Sequence, residues 1–136
     1  MKILLFTTAL LALAVISAAA CGGSGGGAAA TVAPSNVHVT LSDLKFESDV
    51  TTFEKGKKYR IIIENKGKLA HEWSVAARGG TGHDAMLQHI GQEQLPPGAS
   101  VTVEYTFPSG TSGPLEFACH VPGHYEAGMR LDISLK

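Results

Sequence analysis

Short apolar runs with a period of two recur along the chain from residue 36 onward. In the first run, Val37, Val39 and Leu41 alternate with His38 and Thr40. Alternate residues of an extended strand share one face, so each run predicts a strand with one buried side. Glycine, proline and asparagine separate the runs, and the pattern predicts an all-β sandwich or barrel of about 7–8 strands. The further runs cover residues 44–46, 59–64, 69–75, 101–107, 115–119 and 129–135.

One segment departs from this period. Met86, Leu87 and Ile90 fall at helical spacing, which predicts one short helix near residues 83–90 on one side of the sandwich. His83 and His89 flank Met86 in a His-x2-Met-x2-His pattern that could hold a second soft metal ion. On a helix, however, the two imidazoles would diverge by about 120°. We therefore interpret Met86 as a core residue and the histidines as its flanks.

Residues 1–20 have the pattern of a secretory signal. Lys2 is followed by an apolar run from Ile3 to Ile16 and then by small residues up to Ala20. The apolar run is short for a stable membrane span. We therefore predict that the chain is exported to the periplasmic or cell-surface side of a bacterial membrane.

Cys21 stands directly after the signal, at the position of the acylated cysteine of a bacterial lipoprotein. We favour lipidation of Cys21 over cleavage nearby by an ordinary signal peptidase, because an unpaired thiol is awkward in an exported chain. Acyl chains would hold the protein at a membrane surface. Residues 21–33, rich in glycine, serine and alanine, are predicted to be a flexible tether, and residues 34–136 the folded domain.

Size and charge narrow the class of protein. The chain of 136 residues is 44% hydrophobic and 7% aromatic, which suits one small globular domain. Residues 1–20 hold one of the 11 basic residues, so the exported chain, with its 12 acidic residues, carries a charge of about −2. This near-neutral charge argues against nucleic acid as a partner.

The chain carries a concentrated set of soft metal ligands between residues 119 and 129. Cys119, His124 and Met129 place a thiol, an imidazole and a thioether in one short loop. Such donors select copper, zinc or iron over magnesium and calcium, and two histidines, one cysteine and a weak axial methionine form a blue-copper site. If Cys21 carries lipid, Cys119 has no disulfide partner. A metal bond would explain that thiol in an oxidising compartment.

The set needs a second histidine, and strand parity favours His71. On its predicted strand, His71 shares the phase of Leu69 and Trp73 on the apolar side. Cys119 and Met129 are likewise in phase with the apolar residues of their own strands. A buried imidazole is costly without a partner, and a shared metal ion would supply one.

The Cys-x4-His-x4-Met loop, with its Pro122-Gly123 turn before the histidine, resembles that of the cupredoxins, the family of plastocyanin, azurin and auracyanin. The resemblance extends over residues 36–136. It implies a Greek-key β-sandwich that binds one type 1 copper. At Glu72 the chain departs from the family, whose members often carry asparagine or another small polar residue after the first histidine. By position, the resemblance assigns the copper to four ligands: His71, Cys119, His124 and Met129.

The resemblance implies a one-electron carrier that cycles between Cu(I) and Cu(II). It implies no enzyme and no small-molecule substrate, since catalysis needs an open coordination position and a substrate pocket. The partners would be transient redox proteins such as cytochromes or copper oxidases. A second hypothesis is copper tolerance or copper delivery through the same site, and the additional histidines and methionines favour it. We expect partners to dock on a small apolar patch: Val121, Pro122, Tyr125 and Ala127.

Three further side chains are assigned from the strand pattern. His120 is turned away from Cys119 by parity, which predicts a surface role. His38 lies on the polar side of its strand and is predicted to be solvated. Tyr125 is interpreted either as part of the docking patch or as a ring that packs on the end of the sandwich.

Overall fold

The computed structural model describes residues 33–80 and 82–136, without the side chain of His83. The predicted signal, Cys21 and the tether up to residue 32 lie outside the described residues. Among the described residues, no helix has the length and apolar character needed to cross a membrane. The strands are β1 (Ser35–Ser42), β2 (Lys45–Ser48), β3 (Thr52–Phe53), β4 (Lys58–Asn65), β5 (Trp73–Ala77), β6 (Met86–Ile90), β7 (Ser100–Thr106), β8 (Leu115–Ala118) and β9 (Arg130–Leu135).

These strands form two sheets, ordered β2-β1-β4-β7 and β3-β9-β8-β5-β6. β1 pairs in parallel with β4, and β3 with β9, while the other pairs are antiparallel. Ala118 lies opposite both Ser74 and Arg130. The start of β5, the end of β8 and the start of β9 therefore lie at one end of their sheet. The predicted all-β sandwich is confirmed, and within residues 33–136 the two-residue β3 and the unpredicted β6 raise the number of described strands to nine.

The core contains a cluster of aromatic rings. Phe53, Trp73, Phe107 and Phe117 are each 0% exposed. The Phe53 ring lies 4.8 Å from that of Phe107 and 5.8 Å from that of Phe117, measured between centroids. Burying one such side chain contributes about 1.5–3 kcal/mol. Because Trp73 begins β5 and Phe117 lies on β8, packing in this cluster stabilises the two strands next to the site.

The predicted helix near residues 83–90 is wrong. His83–Ala85 forms one 3₁₀ turn, and Met86–Ile90 is strand β6. β6 pairs with β5 so that Ile90 lies opposite Trp73, with a bulge near Val75. A helix of this length has little intrinsic stability in water, so pairing with a free sheet edge outweighs the helical spacing. The helical divergence of His83 and His89 is lost with the helix, and Met86 is only half-buried.

Strand parity is also wrong at several positions of β5 and β8. Ser74 and Glu116 alternate with the apolar residues of these strands and should face away from the core, yet both are 0% exposed. Both strands are flanked by neighbours in the sheet, and the outer face of β8 is covered as well. Leu69, expected inside, is 46% exposed. His71 does not lie on a strand, because β5 begins at Trp73. It is nevertheless fully buried, as predicted.

Candidate metal centre

The site lies at the end of the sheet where β5 begins and β8 ends. Cys119 follows β8 directly, Met129 directly precedes β9, and the backbone N–H of Cys119 donates to the carbonyl of Met129 over 3.2 Å. His71 approaches from the loop between β4 and β5, where its N–H donates to the carbonyl of Leu95 over 3.2 Å. These main-chain bonds fix the backbone of the three predicted ligands.

The loop from Cys119 to Met129 is closed by its own hydrogen bonds. The N–H of His124 donates to the carbonyl of Val121 over 2.9 Å, and Gly123 between them has φ +84°. This is a type II turn with Pro122 in the second place, and only glycine adopts that φ without strain. The N–H of Met129 then donates to the carbonyl of His124 over 3.0 Å. The predicted turn is confirmed, and it directs His124 back toward Cys119.

Three of the predicted ligands meet. Nδ1 of His71 lies 3.2 Å from Nδ1 of His124, and Sγ of Cys119 lies 3.5 Å from the latter nitrogen. All three atoms lie within 4.8 Å of one another. Nitrogen and sulfur ligands bound to one ion at about 2.0 and 2.3 Å in a trigonal plane would be roughly 3.5–3.7 Å apart. The donor set and its spacing fit a single type 1 copper ion.

The thiol of Cys119 is buried but hydrogen-bonded. Sγ accepts the backbone N–H of Glu72 over 3.3 Å. Burial raises the pKa of Cys119, and hydrogen bonds from the backbones of Glu72 and Val121 oppose that rise. The metal-free thiol therefore keeps its proton at neutral pH, and copper binding must release it. Glu72 braces the ligand through its backbone N–H, which any residue except proline could supply at that position.

His71 is held as a neutral imidazole. Burial lowers its pKa, the neighbouring His124 lowers it further, and Asp43 opposes both. Oδ1 of Asp43 lies 3.7 Å from Nε2 of His71, on the ring edge opposite Nδ1. The same oxygen accepts the N–H of Lys68, and this bond holds the pKa of Asp43 below its usual value. A neutral ring with Nδ1 free of its proton is the form that binds a metal.

Met129, the predicted axial ligand, is 0% exposed and belongs to the hydrophobic core cluster. Its backbone bonds to both Cys119 and His124 tie it to the other donors. A buried thioether on a residue whose backbone bonds to two of the other ligands is suited to complete the soft donor set.

The fold is shared with solved copper proteins. Auracyanin A, a "blue" copper protein from Chloroflexus aurantiacus, matches 76% of this chain and 100% of its own, with a TM-score of 0.60 and 19% identity. Rusticyanin from Thiobacillus ferrooxidans matches 76% of this chain and 79% of its own, with a TM-score of 0.57 and 17% identity. The chain has a cupredoxin-like fold. No protein-family model matches its sequence.

A curated relative of this chain is the copper-resistant cuproprotein CopI of Vibrio cholerae. The two are 36% identical over 109 residues, which is 73% of this chain. The chain spans only 64% of the length of that relative.

A polar cluster covers the outer face of β8 next to the copper loop. The buried Glu116 carboxylate accepts the hydroxyl of Tyr125 over 2.7 Å and the N–H of Gly79 over 3.0 Å. The Tyr125 ring stacks on His120 with centroids 5.3 Å apart, and Cζ of Arg130 lies 5.2 Å from the centroid of the Tyr125 ring. Of the two interpretations of Tyr125, packing on the end of the sandwich is thus supported, and His120 is half-buried rather than fully on the surface.

Two other histidines, His38 and His89, lie outside the donor set. His38 is exposed, as predicted. His89 places Nε2 3.6 Å from a carboxylate oxygen of Glu72, beside the site but not in it. Among the side chains that the structure describes, His71, Cys119 and His124 form the group that can hold a metal. The His83 side chain, which a second ion at His83, Met86 and His89 would need, lies outside the described residues.

Sequence reasoning missed the frame around His71. Asp43 and Asn65 bond to the loop that carries this ligand, and Gly67 within that loop leaves room for Asp43 beside His71. The only signal in the sequence was their turn-forming character, which many other residues share.

Proposed function

We propose that this protein is a one-electron carrier between extracytoplasmic redox partners. His71, Cys119, His124 and Met129 would hold the copper. Copper would supply the Cu(I)/Cu(II) couple. The proposal includes no substrate chemistry.

The observation that carries the proposal is the close approach of the donors within a rigid frame. Nδ1 of His71 and Nδ1 of His124 lie 3.2 Å apart in a site fixed by main-chain hydrogen bonds. His71, Cys119 and Met129 are 0% exposed. Donors that already stand together need to move little when the charge of the site changes. A small rearrangement favours electron exchange, whereas passing copper on requires donors that a recipient can reach.

The electron would leave through the part of the site that is accessible. His124 is only half-buried, while the other proposed ligands are enclosed. Around it, Pro122 and Ala127 are exposed and Val121 is half-buried. A small apolar surface of this kind suits the brief, weak encounters of redox proteins such as cytochromes or copper oxidases.

A second candidate function is copper tolerance or copper delivery. The relative from Vibrio cholerae bears the name copper-resistant cuproprotein, and that name favours this function. In it, the same ligands would bind copper in order to sequester it or to pass it on. The two functions differ in what leaves the site first, an electron or the ion.

We place the protein outside the cytoplasm and at a membrane surface. Residues 1–20 would direct export, and acylation of Cys21 would supply the anchor. Mass spectrometry of the protein from membranes would show the acyl chains on Cys21, whereas an unmodified new terminus would contradict the anchor.

A competition between electron and copper transfer separates the two functions. The oxidised, copper-loaded protein is mixed with reduced cytochrome c in a stopped-flow instrument, and bleaching of the thiolate-to-copper band gives the rate of reduction. In parallel, the reduced protein is mixed with a bathocuproine chelator, which reports loss of Cu(I). We expect reduction to be at least tenfold faster than copper loss. Copper loss that outpaces reduction would refute the carrier and support delivery.

A matched pair of variants tests the docking surface. Ala127→Lys places a charge on the exposed loop beside His124, and Ala33→Lys makes the same change at the exposed start of the domain. We expect Ala127→Lys alone to change the rate with cytochrome c while both variants keep the visible spectrum. Equal rates for both variants would exclude this loop as the contact surface.

A further inference from the structure

Asp43, in the turn between β1 and β2, organises the loop that precedes His71. Its Oδ1 accepts the N–H of Lys68 over 2.7 Å and the N–H of Leu69 over 3.2 Å. The same oxygen lies 3.7 Å from Nε2 of His71. The Asp43 side chain is 42% exposed, whereas that of His71 is 0% exposed. The Asp43 carboxylate therefore lies between the protein surface and a fully buried ligand.

Nε2 of His71 is buried and lacks a hydrogen-bond partner among the described residues. When Nδ1 binds copper, the neutral ring carries its remaining proton on Nε2. That N–H faces the Asp43 carboxylate, and a movement of about 0.5 Å would bring the two atoms into ordinary hydrogen-bond distance. Metal-bound histidines commonly donate this second N–H to a carboxylate or a carbonyl.

Gly67 leaves the space that this approach needs. A Cβ atom at position 67 would lie 2.5 Å from Oδ1 of Asp43 and 3.0 Å from Nε2 of His71. Real Cβ atoms essentially never come as close as the first distance. Any other residue here would force the carboxylate or the imidazole to shift.

We propose that Asp43 is a positioning residue of the copper centre, which orients His71 for binding through Nδ1 and favours Cu(II) over Cu(I). Its negative charge lies close to the ring and stabilises the more highly charged ion. Outer partners of metal-bound histidines typically change metal affinity by about 10–100-fold. The inference rests on the copper centre alone and is the same for an electron carrier and for a copper-handling protein.

The decisive variant is Asp43→Asn, which keeps an oxygen acceptor for Lys68 and Leu69 but removes the charge. We expect a loss of Cu(II) affinity of about tenfold or more, with a smaller loss for Cu(I). The reduction potential then rises while the intense visible band stays. Asp49→Asn is the matched control, because Asp49 accepts the backbone N–H of His38 over 2.8 Å instead of bonding the loop before His71.

Asp43→Ala separates positioning from a purely structural role, because it also removes the acceptor for Lys68 and Leu69. If Asp43 only secures the loop, Asp43→Asn will match Asp49→Asn in potential and affinity, and Asp43→Ala alone will lower stability. That result would overturn the proposal. Copper affinity and reduction potential are both measured without a redox partner. Their values would therefore test the role of Asp43 even if the protein proved not to be an electron carrier.

NMR of the unsubstituted protein tests the role of Asp43 even if a variant fails to fold. In the Cu(I) protein, proton–nitrogen NMR should show a proton on Nε2 of His71 that exchanges slowly with water. We expect exchange to become faster in Asp43→Asn and not in Asp49→Asn. A proton on Nδ1, or equal exchange in both variants, would contradict the assigned role.

Discussion

Replacing Asn65 by alanine should weaken both the fold and the site, because this side chain ties the His71 loop to the sandwich. Asn65 ends β4 and is 1% exposed. Its amide nitrogen donates to the carbonyls of Leu69 and Leu95, each over 2.8 Å, and its amide oxygen accepts the N–H of Gly67 over 2.9 Å. The alanine variant loses all three hydrogen bonds.

The expected cost follows from these three bonds. Each contributes about 0.5–1.5 kcal/mol net, which gives roughly 3 kcal/mol for the set. The loss of stability is larger if the carbonyls of Leu69 and Leu95 and the N–H of Gly67 stay buried without a hydrogen bond. It is smaller if these groups bond to water instead. A domain of this size has about 5–15 kcal/mol of stability, so the variant should still fold.

Urea unfolding of the metal-free protein measures the loss, with the single tryptophan, Trp73, as the fluorescent reporter. We expect a lower midpoint with an unchanged slope, the sign of a stability change alone. Asn36→Ala is the control, because Asn36 is exposed on β1 and its replacement should stay within about 0.5 kcal/mol. A loss below about 1 kcal/mol in Asn65→Ala would refute the inferred frame. Copper release to a chelator should also be faster in this variant than in Asn36→Ala.

Three further outcomes are expected. Cys119→Ser should lose the intense thiolate-to-copper band while circular dichroism still shows the folded sandwich, and a retained band would contradict the assignment. Met129→Leu should keep the colour and raise the reduction potential, at a cost below about 1.5 kcal/mol in stability, and a potential unchanged within error would count against Met129 as the axial ligand. Burial and His124 lower the pKa of His71, so below about pH 6.5 the unfolded chain binds a proton that the folded chain does not. The metal-free protein should therefore lose stability as the pH falls from 7 toward 5, and His71→Phe should flatten that dependence in urea titrations; an equal slope would exclude His71 as the cause.

Much of the fold and the donor set follows from local pattern. The alternation from Val37 to Leu41 predicts β1 because its burial depends only on which side each residue faces. The turn at Pro122-Gly123 is likewise set by two neighbouring residues. Cys119 and His124 are brought together by that same turn, so their meeting was predictable.

Other features depend on contacts between distant segments. Helical spacing at residues 86–90 gave way to an open edge of β5, which the sequence of that segment does not reveal. Glu116 is buried because Tyr125 and Gly79 supply hydrogen bonds to its carboxylate. Asp43 lies in the turn between β1 and β2, and His71 lies in the loop between β4 and β5, so the two meet only in the folded protein. In each case the contacting residue is distant in sequence, and the intrinsic preferences of neighbouring residues do not identify it.

The proposed ligands are distributed unevenly along the chain, and this has a consequence for assembly in the cell. Cys119, His124 and Met129 all come late, and β9, which follows them, lies between β3 and β8 in its sheet. During synthesis His71 emerges well before its three companions. A chain interrupted before Cys119 therefore lacks three of the four proposed donors, and capture of the ion waits for the last part of the chain to be made.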